Sequence, residues 1–94
     1  MEFLVRIDVH IPPDMPPEER GRLLEREAAR GRELIAAGTL VRIWRIPGRQ
    51  SNWSVYRAED ATAVHAAITS LPLWPYMDVR VEALATHPLE GGAS

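Results

Sequence analysis

The chain has 94 residues, a formal net charge of -2, 46% hydrophobic residues and 26% charged residues. That length suits one domain and is too short for two, and folding at this size hides roughly 64% of the extended-chain surface, so most apolar residues must join a single core. The near-neutral charge leaves no electrostatic footprint for nucleic acid or an anionic membrane, no apolar run approaches bilayer-spanning length, and the charge-interrupted N-terminus is unlike a signal peptide, which predicts a cytoplasmic protein.

The opening run Phe3-Leu4-Val5-Arg6-Ile7-Asp8-Val9-His10-Ile11 alternates strictly, so Phe3, Val5, Ile7, Val9 and Ile11 share one face of a strand. Pro12, Pro13, Pro16 and Pro17 stop it. A helix is predicted from Pro17 to about Ala37, with Glu18 and Glu19 complementing its positive end and Gly38 ending it. Thr39–Ile46 reads as a second strand, Pro47–Gln50 as a turn and Asn52–Tyr56 as a third strand. A second helix is predicted over Asp60–Leu71, buried through Ala61, Val64, Ile68 and Leu71. Two prolines keep the segment from Leu71 to Met77 out of regular helix, and Asp78–Leu84 alternates as a fourth strand. The domain is expected over residues 1–88, with a small, polar, frayed tail at 89–94.

The order βαββαβ predicts a ferredoxin-like α+β fold, a four-stranded antiparallel sheet with both helices on one face. The other face then carries Arg and Trp side chains and needs a partner subunit to cover it.

The chemistry is narrowed by two missing residue types. Without cysteine there is no thiol nucleophile or thiolate metal site, and without lysine there is no Schiff base; every basic residue but histidine is arginine. Arginine binds anions but makes a poor base, so proton transfer falls to Asp, Glu, His or Tyr. Glu27 stands out. On a wheel of about 100° per residue it falls inside the apolar stripe of Leu23, Leu34 and Ile35, with Gly31 leaving space one turn later. A carboxylate on such a face loses hydration, and its pKa rises toward that of a useful general base. The plainer alternative is an ion pair with an arginine, or escape to solvent at the sheet edge.

Arg42 and Arg45 must point to opposite faces of their strand, and either can hold a substrate carboxylate or make an ion pair or interface contact. His65 flanks the second helix's buried stripe, where a packed histidine is the commoner case. His10, His65 and His87 lack metal-ligand spacing, so neither a metal nor another cofactor is expected. Trp44, Trp53, Trp74 and Tyr76 suit either a flat apolar pocket or a core and subunit interface. There is no phosphate-cradling glycine loop and no Gly-x-Ser-x-Gly nucleophile elbow.

Several segments together resemble the muconolactone Δ-isomerase family: Gly38-Thr39, Trp44-Arg45-Ile46-x-Gly48, Asn52, Ser54-Val55, and Leu71-Pro72-Leu73-Trp74-Pro75-Tyr76-Met77, where that family has Phe in place of Trp74. Ile11 through Pro17, Glu27, His65 and His87-Pro88 also match, without gaps from about Phe3 to Pro88. The resemblance implies a ferredoxin-like subunit that forms dimers and a larger ring, commonly a decamer. It further implies a cofactor-free isomerase of aromatic catabolism, an intramolecular oxidoreductase that converts muconolactone to 3-oxoadipate enol-lactone, with Glu27 as acid/base residue. Arg45, inside the matched motif, is the better candidate than Arg42 for the substrate's acetate arm. Asn52, Ser54 and Tyr76 are candidate donors to the lactone carbonyl, and His65 and Trp74 further candidate contacts.

The chain departs from that family at Leu4, Ala28, Leu40, Arg42 and Gln50, where the family has His, Lys, Trp, His and Tyr, and at Ala85-Thr86, where the family has Cys-Arg. Related readings are therefore a lyase or dehalogenase that expels a leaving group after the same proton abstraction, an isomerase or cyclase of another ring, and a non-catalytic ligand-binding subunit.

Overall fold

The computed structural model describes residues 1–90. Its elements follow the predicted order: β1 Glu2–Val9, α1 Pro17–Ala36, β2 Leu40–Arg45, β3 Ser51–Arg57, α2 Ala61–Thr69, a short 3-10 turn at Trp74–Tyr76, and β4 Met77–Leu84. The strands form one antiparallel sheet in the order β2-β3-β1-β4, which is ferredoxin-like.

Local chemistry explains the boundaries. Pro17 occupies the first turn of α1, where its missing N–H costs nothing, and Glu18 and Glu19 sit at the positive helix end. Gly38 and Gly48 adopt φ of 78° and 76°, the left-handed turns after α1 and between β2 and β3. α2 is shorter than expected. Asp60 stays outside it as the cap, accepting from the Ala63 N–H at 2.8 Å. β1 ends at Val9, before His10 and Ile11: the His10 N–H still reaches the Tyr76 carbonyl at 2.7 Å, but the Tyr76 N–H turns to the Leu73 carbonyl at 2.8 Å and not back to β1.

Register decides which side chains meet. Phe3, Val5 and Ile7 pair with Tyr56, Ser54 and Asn52 on β3, and with Ala83, Val81 and Val79 on β4. This face turns toward the helices, and the core of Phe3, Val5, Ile7, Leu34, Leu40, Tyr56, Val64, Ala67, Ile68 and Leu71 lies there. Ala61 stays exposed on α2, and Ala67 takes the expected burial instead.

β2 carries an irregularity between Leu40 and Arg42, since Leu40 pairs with Tyr56 while Arg42 already pairs with Val55. Such a bulge shifts the alternation by one residue. Leu40, Ile43 and Arg45 therefore face the helices, while Arg42 and Trp44 face the other way.

The opposite sheet face is open in the single chain. Arg6 lies over the Trp53 ring at 5.4 Å, Arg42 over the Trp44 ring at 4.8 Å, and Trp44 pairs with Trp53 across the strands. Asp8 accepts from Ser51 Oγ at 2.5 Å and pairs with Arg6 at 3.1 Å, and the Arg6 hydrogen bond, then that of Ser51, holds its carboxyl below the ordinary value.

Candidate active site

The main cavity has a volume of about 550 Å³ and lies between α1 and the β2 side of the sheet. One face of α1 supplies Arg20, Leu24, Glu27, Ala28, Gly31, Arg32 and Ile35, a spacing of three and four residues that keeps successive turns on one side. The sheet supplies Ile7 and Val9 from β1, Leu40, Ile43 and Arg45 from β2, and Asn52 and Tyr56 from β3. Leu71, Leu73 and Met77 close the wall from the proline-interrupted segment.

Glu27 is half-buried here, and none of the ion pairs found among the described residues involves it. Its Oε1 accepts the Leu73 backbone N–H at 2.8 Å. Loss of hydration lifts the carboxyl above its ordinary value, and the Leu73 hydrogen bond opposes part of that rise. That bond joins helix α1 to the proline-rich segment and fixes one oxygen of the carboxylate. Gly31 widens the cavity beside it, and a Cβ there meets nothing within 4 Å.

Tyr56 lines the same wall with its side chain almost wholly buried. Burial, and then the negative charge of Glu27, pushes its phenol up to about 12, so the hydroxyl is a neutral donor at physiological pH. Asn52 Oδ1 is a buried acceptor with no partner among the described residues. A buried polar atom without a partner is costly, and one on a cavity wall is a ready contact for a ligand.

The candidates from the sequence divide by location. Glu27, Arg45 and Asn52 share the cavity. Arg42 does not, because the β2 alternation sends it to the open sheet face against Trp44. Ser54 faces the helices but is buried in the core, and its Oγ donates to the Val5 carbonyl at 3.4 Å. His65 and Trp74 line a separate hollow of about 480 Å³ between α2 and β4, whose walls also include Val79, Val81 and Ala83. Tyr76 contributes to neither wall, and its carbonyl serves the His10 N–H instead. Within one chain these five therefore do not join Glu27.

Tyr56, Arg20 and Arg32 belong to the cavity without any motif to single them out. On the helical wheel Arg20 lies about 20° from Glu27, so the wheel contains its signal, whereas Arg32 lies about 140° away and joins the cavity from the flank of that face. Tyr56 needs the β3 register. Ala28, Leu40 and Gln50, three of the positions where the resemblance breaks, also line this cavity. Among the described residues, no group of three or more His, Cys, Asp or Glu residues is placed to hold a metal ion.

Comparison with known proteins identifies the family. The family model described as muconolactone delta-isomerase matches residues 1–90. The Muconolactone Delta-isomerase of Acinetobacter baylyi (strain ATCC 33305 / BD413 / ADP1) is 41% identical over 88 residues, covering 94% of this chain and 92% of that protein. That of Rhodococcus opacus is 40% identical over 85 residues, covering 90% and 91%. A crystal structure of muconolactone isomerase superposes with a TM-score of 0.91 at 35% identity, covering 100% of this chain and 98% of the other. By sequence over nearly its whole length and by fold, the chain belongs to the muconolactone Δ-isomerase family.

Proposed function

We propose that this protein is an isomerase that moves the ring double bond of muconolactone, or of a closely related butenolide, by proton transfer through Glu27. Support comes from the relatives named for that activity and, above all, from one geometric fact. A partly dehydrated carboxylate, with one oxygen fixed by the Leu73 amide, sits in a cavity lined by arginines.

The chemistry follows from that placement. Glu27 removes the proton from the ring carbon γ to the lactone carbonyl. The C–H electron pair becomes a new double bond, the old double bond shifts toward the carbonyl carbon, and charge collects on the carbonyl oxygen as a furan-like dienolate. The protonated Glu27 then returns its proton to the α carbon, so no net proton is consumed. Arg45 holds the acetate arm through its planar fork. Asn52, through its amide N–H, and Tyr56, through its hydroxyl, are the cavity's candidate donors to the dienolate oxygen.

The domain is read as residues 1–88, acting in the cytoplasm as a homo-oligomer, a dimer or a larger ring, that covers the open sheet face. No helix among the described residues is long and apolar enough to cross a membrane.

The test is an ultraviolet assay of muconolactone conversion with the parent protein and Glu27→Gln. The parent converts muconolactone to the enol-lactone, and the variant loses about 10²–10⁴-fold in kcat with its assembly unchanged. Equal turnover by both proteins excludes Glu27 as the base. Release of a leaving group from a halogenated lactone, without isomerisation of muconolactone, would favour the lyase reading.

A further inference from the structure

The arginines of the cavity exceed what a lactone with one acid group requires. Arg20, Arg32 and Arg45 line it against a single carboxylate, Glu27, a formal surplus of two positive charges. The ion pairs found among the described residues are Arg6–Asp8, His10–Asp78, Arg30–Glu33 and Arg57–Glu2, and none uses these three arginines. A lactone with one acid group balances one of those two charges and leaves the other unmatched.

Their placement matters as much as their number. Arg45 pairs with Asn52, which pairs with Ile7 near the end of β1. The chain leaves β1 at that end and reaches the first turns of α1, where Arg20 lies. Arg32 lies toward the other end of α1, where the Thr39 N–H bonds the Leu34 carbonyl and the chain enters β2. About 18 Å of helix axis separates Arg20 from Arg32 at 1.5 Å per residue, with Glu27 between them. The cavity thus has a basic group at each end and its base in the middle. At about 550 Å³ it falls within the ~300–1,000 Å³ that encloses drug-sized ligands, so a small monocyclic lactone leaves it part empty. Leu24, Ile35 and Ile43 line it as well and are 41–53% exposed, which leaves apolar wall to cover.

We propose that the preferred substrate is a butenolide carrying two acid groups, one on the acetate arm and held by Arg45 with Arg20, the other on the far side of the ring and held by Arg32. This rests on the isomerase reading of the cavity and names the substrate class for it. The proton transfer is unchanged; the second carboxylate takes no part in bond making, and Arg32 is a specificity-determining residue.

The experiment measures binding as well as turnover. Calorimetry on full-length Glu27→Gln protein compares muconolactone with a butenolide that bears a second carboxyl group across the ring. The diacid is expected to bind at least tenfold more tightly than the monoacid. Adding Arg32→Gln should remove that preference while the monoacid affinity stays within twofold, and Arg32→Lys, which keeps the charge, should restore part of it. Equal affinity for the two lactones, or an equal loss for both in Arg32→Gln, overturns the proposal. So does an Arg32→Gln protein that falls apart into smaller assemblies with its diacid preference intact, because Arg32 would then serve a subunit contact. If the diacid preference holds but the parent protein isomerises neither lactone, the isomerase reading fails and the two-ended anion site stands.

Discussion

At Glu27 two influences oppose each other, and their balance fixes its behaviour. Burial favours the neutral acid, while the Leu73 N–H favours the carboxylate; burial is the larger, so the carboxyl titrates above its ordinary range. Activity should therefore rise with pH through a midpoint above that of a free glutamate, and the profile of kcat/KM against pH reads it directly. The stability consequence has the opposite sign. A carboxyl that holds its proton more tightly when folded makes the folded state progressively less favoured as pH climbs from the unfolded to the folded titration point. Glu27→Gln keeps an acceptor for the Leu73 amide without the buried charge, so it should unfold at a higher temperature than the parent at pH 7, a comparison that thermal denaturation makes. Tyr56 behaves alike at the alkaline end. Its phenol holds its proton up to about 12 in the fold, so stability present below about 10, the ordinary value for tyrosine, is lost as pH rises toward 12. Tyr56→Phe should remove that part of the alkaline loss. Glu27 was legible in the sequence because a charge inside an apolar helical stripe is conspicuous. Tyr56 was not, since an aromatic residue on a strand reads as core until a register sets it against a carboxylate.

The helices and strands themselves were readable because prolines, glycines and alternation punctuate them, whereas which residues meet was not. The bulge in β2 shows why. Leu40 and Arg42 would share a face under strict alternation, and one extra residue separates them. The same shift leaves Arg45 on the Glu27 side and Arg42 on the other, so the choice between two arginines is made by backbone geometry. On α1, Gly31 is a second element-scale feature. A glycine inside a helix costs about 1 kcal/mol relative to alanine, and a Cβ here meets nothing within 4 Å. Gly31→Ala should raise the melting temperature by roughly 4–8 °C per kcal/mol regained. Gly31→Leu should fill the space beside Glu27 and raise KM severalfold, which steady-state kinetics on the lactone measures.

For the molecule as a whole, the open sheet face is the unfinished surface. Trp44 and Trp53 are 43% and 38% exposed there, each with an arginine over its ring. A sheet covered by helices on one side only leaves such side chains open, and the proposed homo-oligomer would bury them against another subunit. Replacing Trp44 and Trp53 together with Glu should shift the protein to smaller species in sedimentation, while the circular dichroism of the folded subunit is kept. An open face followed from counting two helices against four strands, so the existence of this surface was legible in the sequence. What would cover it was not, because periodicity describes one chain at a time.

On the proposed mechanism the half-buried acid on α1 moves the proton. Following muconolactone by ultraviolet absorbance in deuterated water, with proton NMR of the product, tests it most directly. The parent protein should convert the lactone with some of the abstracted hydrogen returned intact to the α carbon, and Glu27→Gln should react about 10²–10⁴-fold more slowly. Undiminished conversion by that variant would contradict the mechanism.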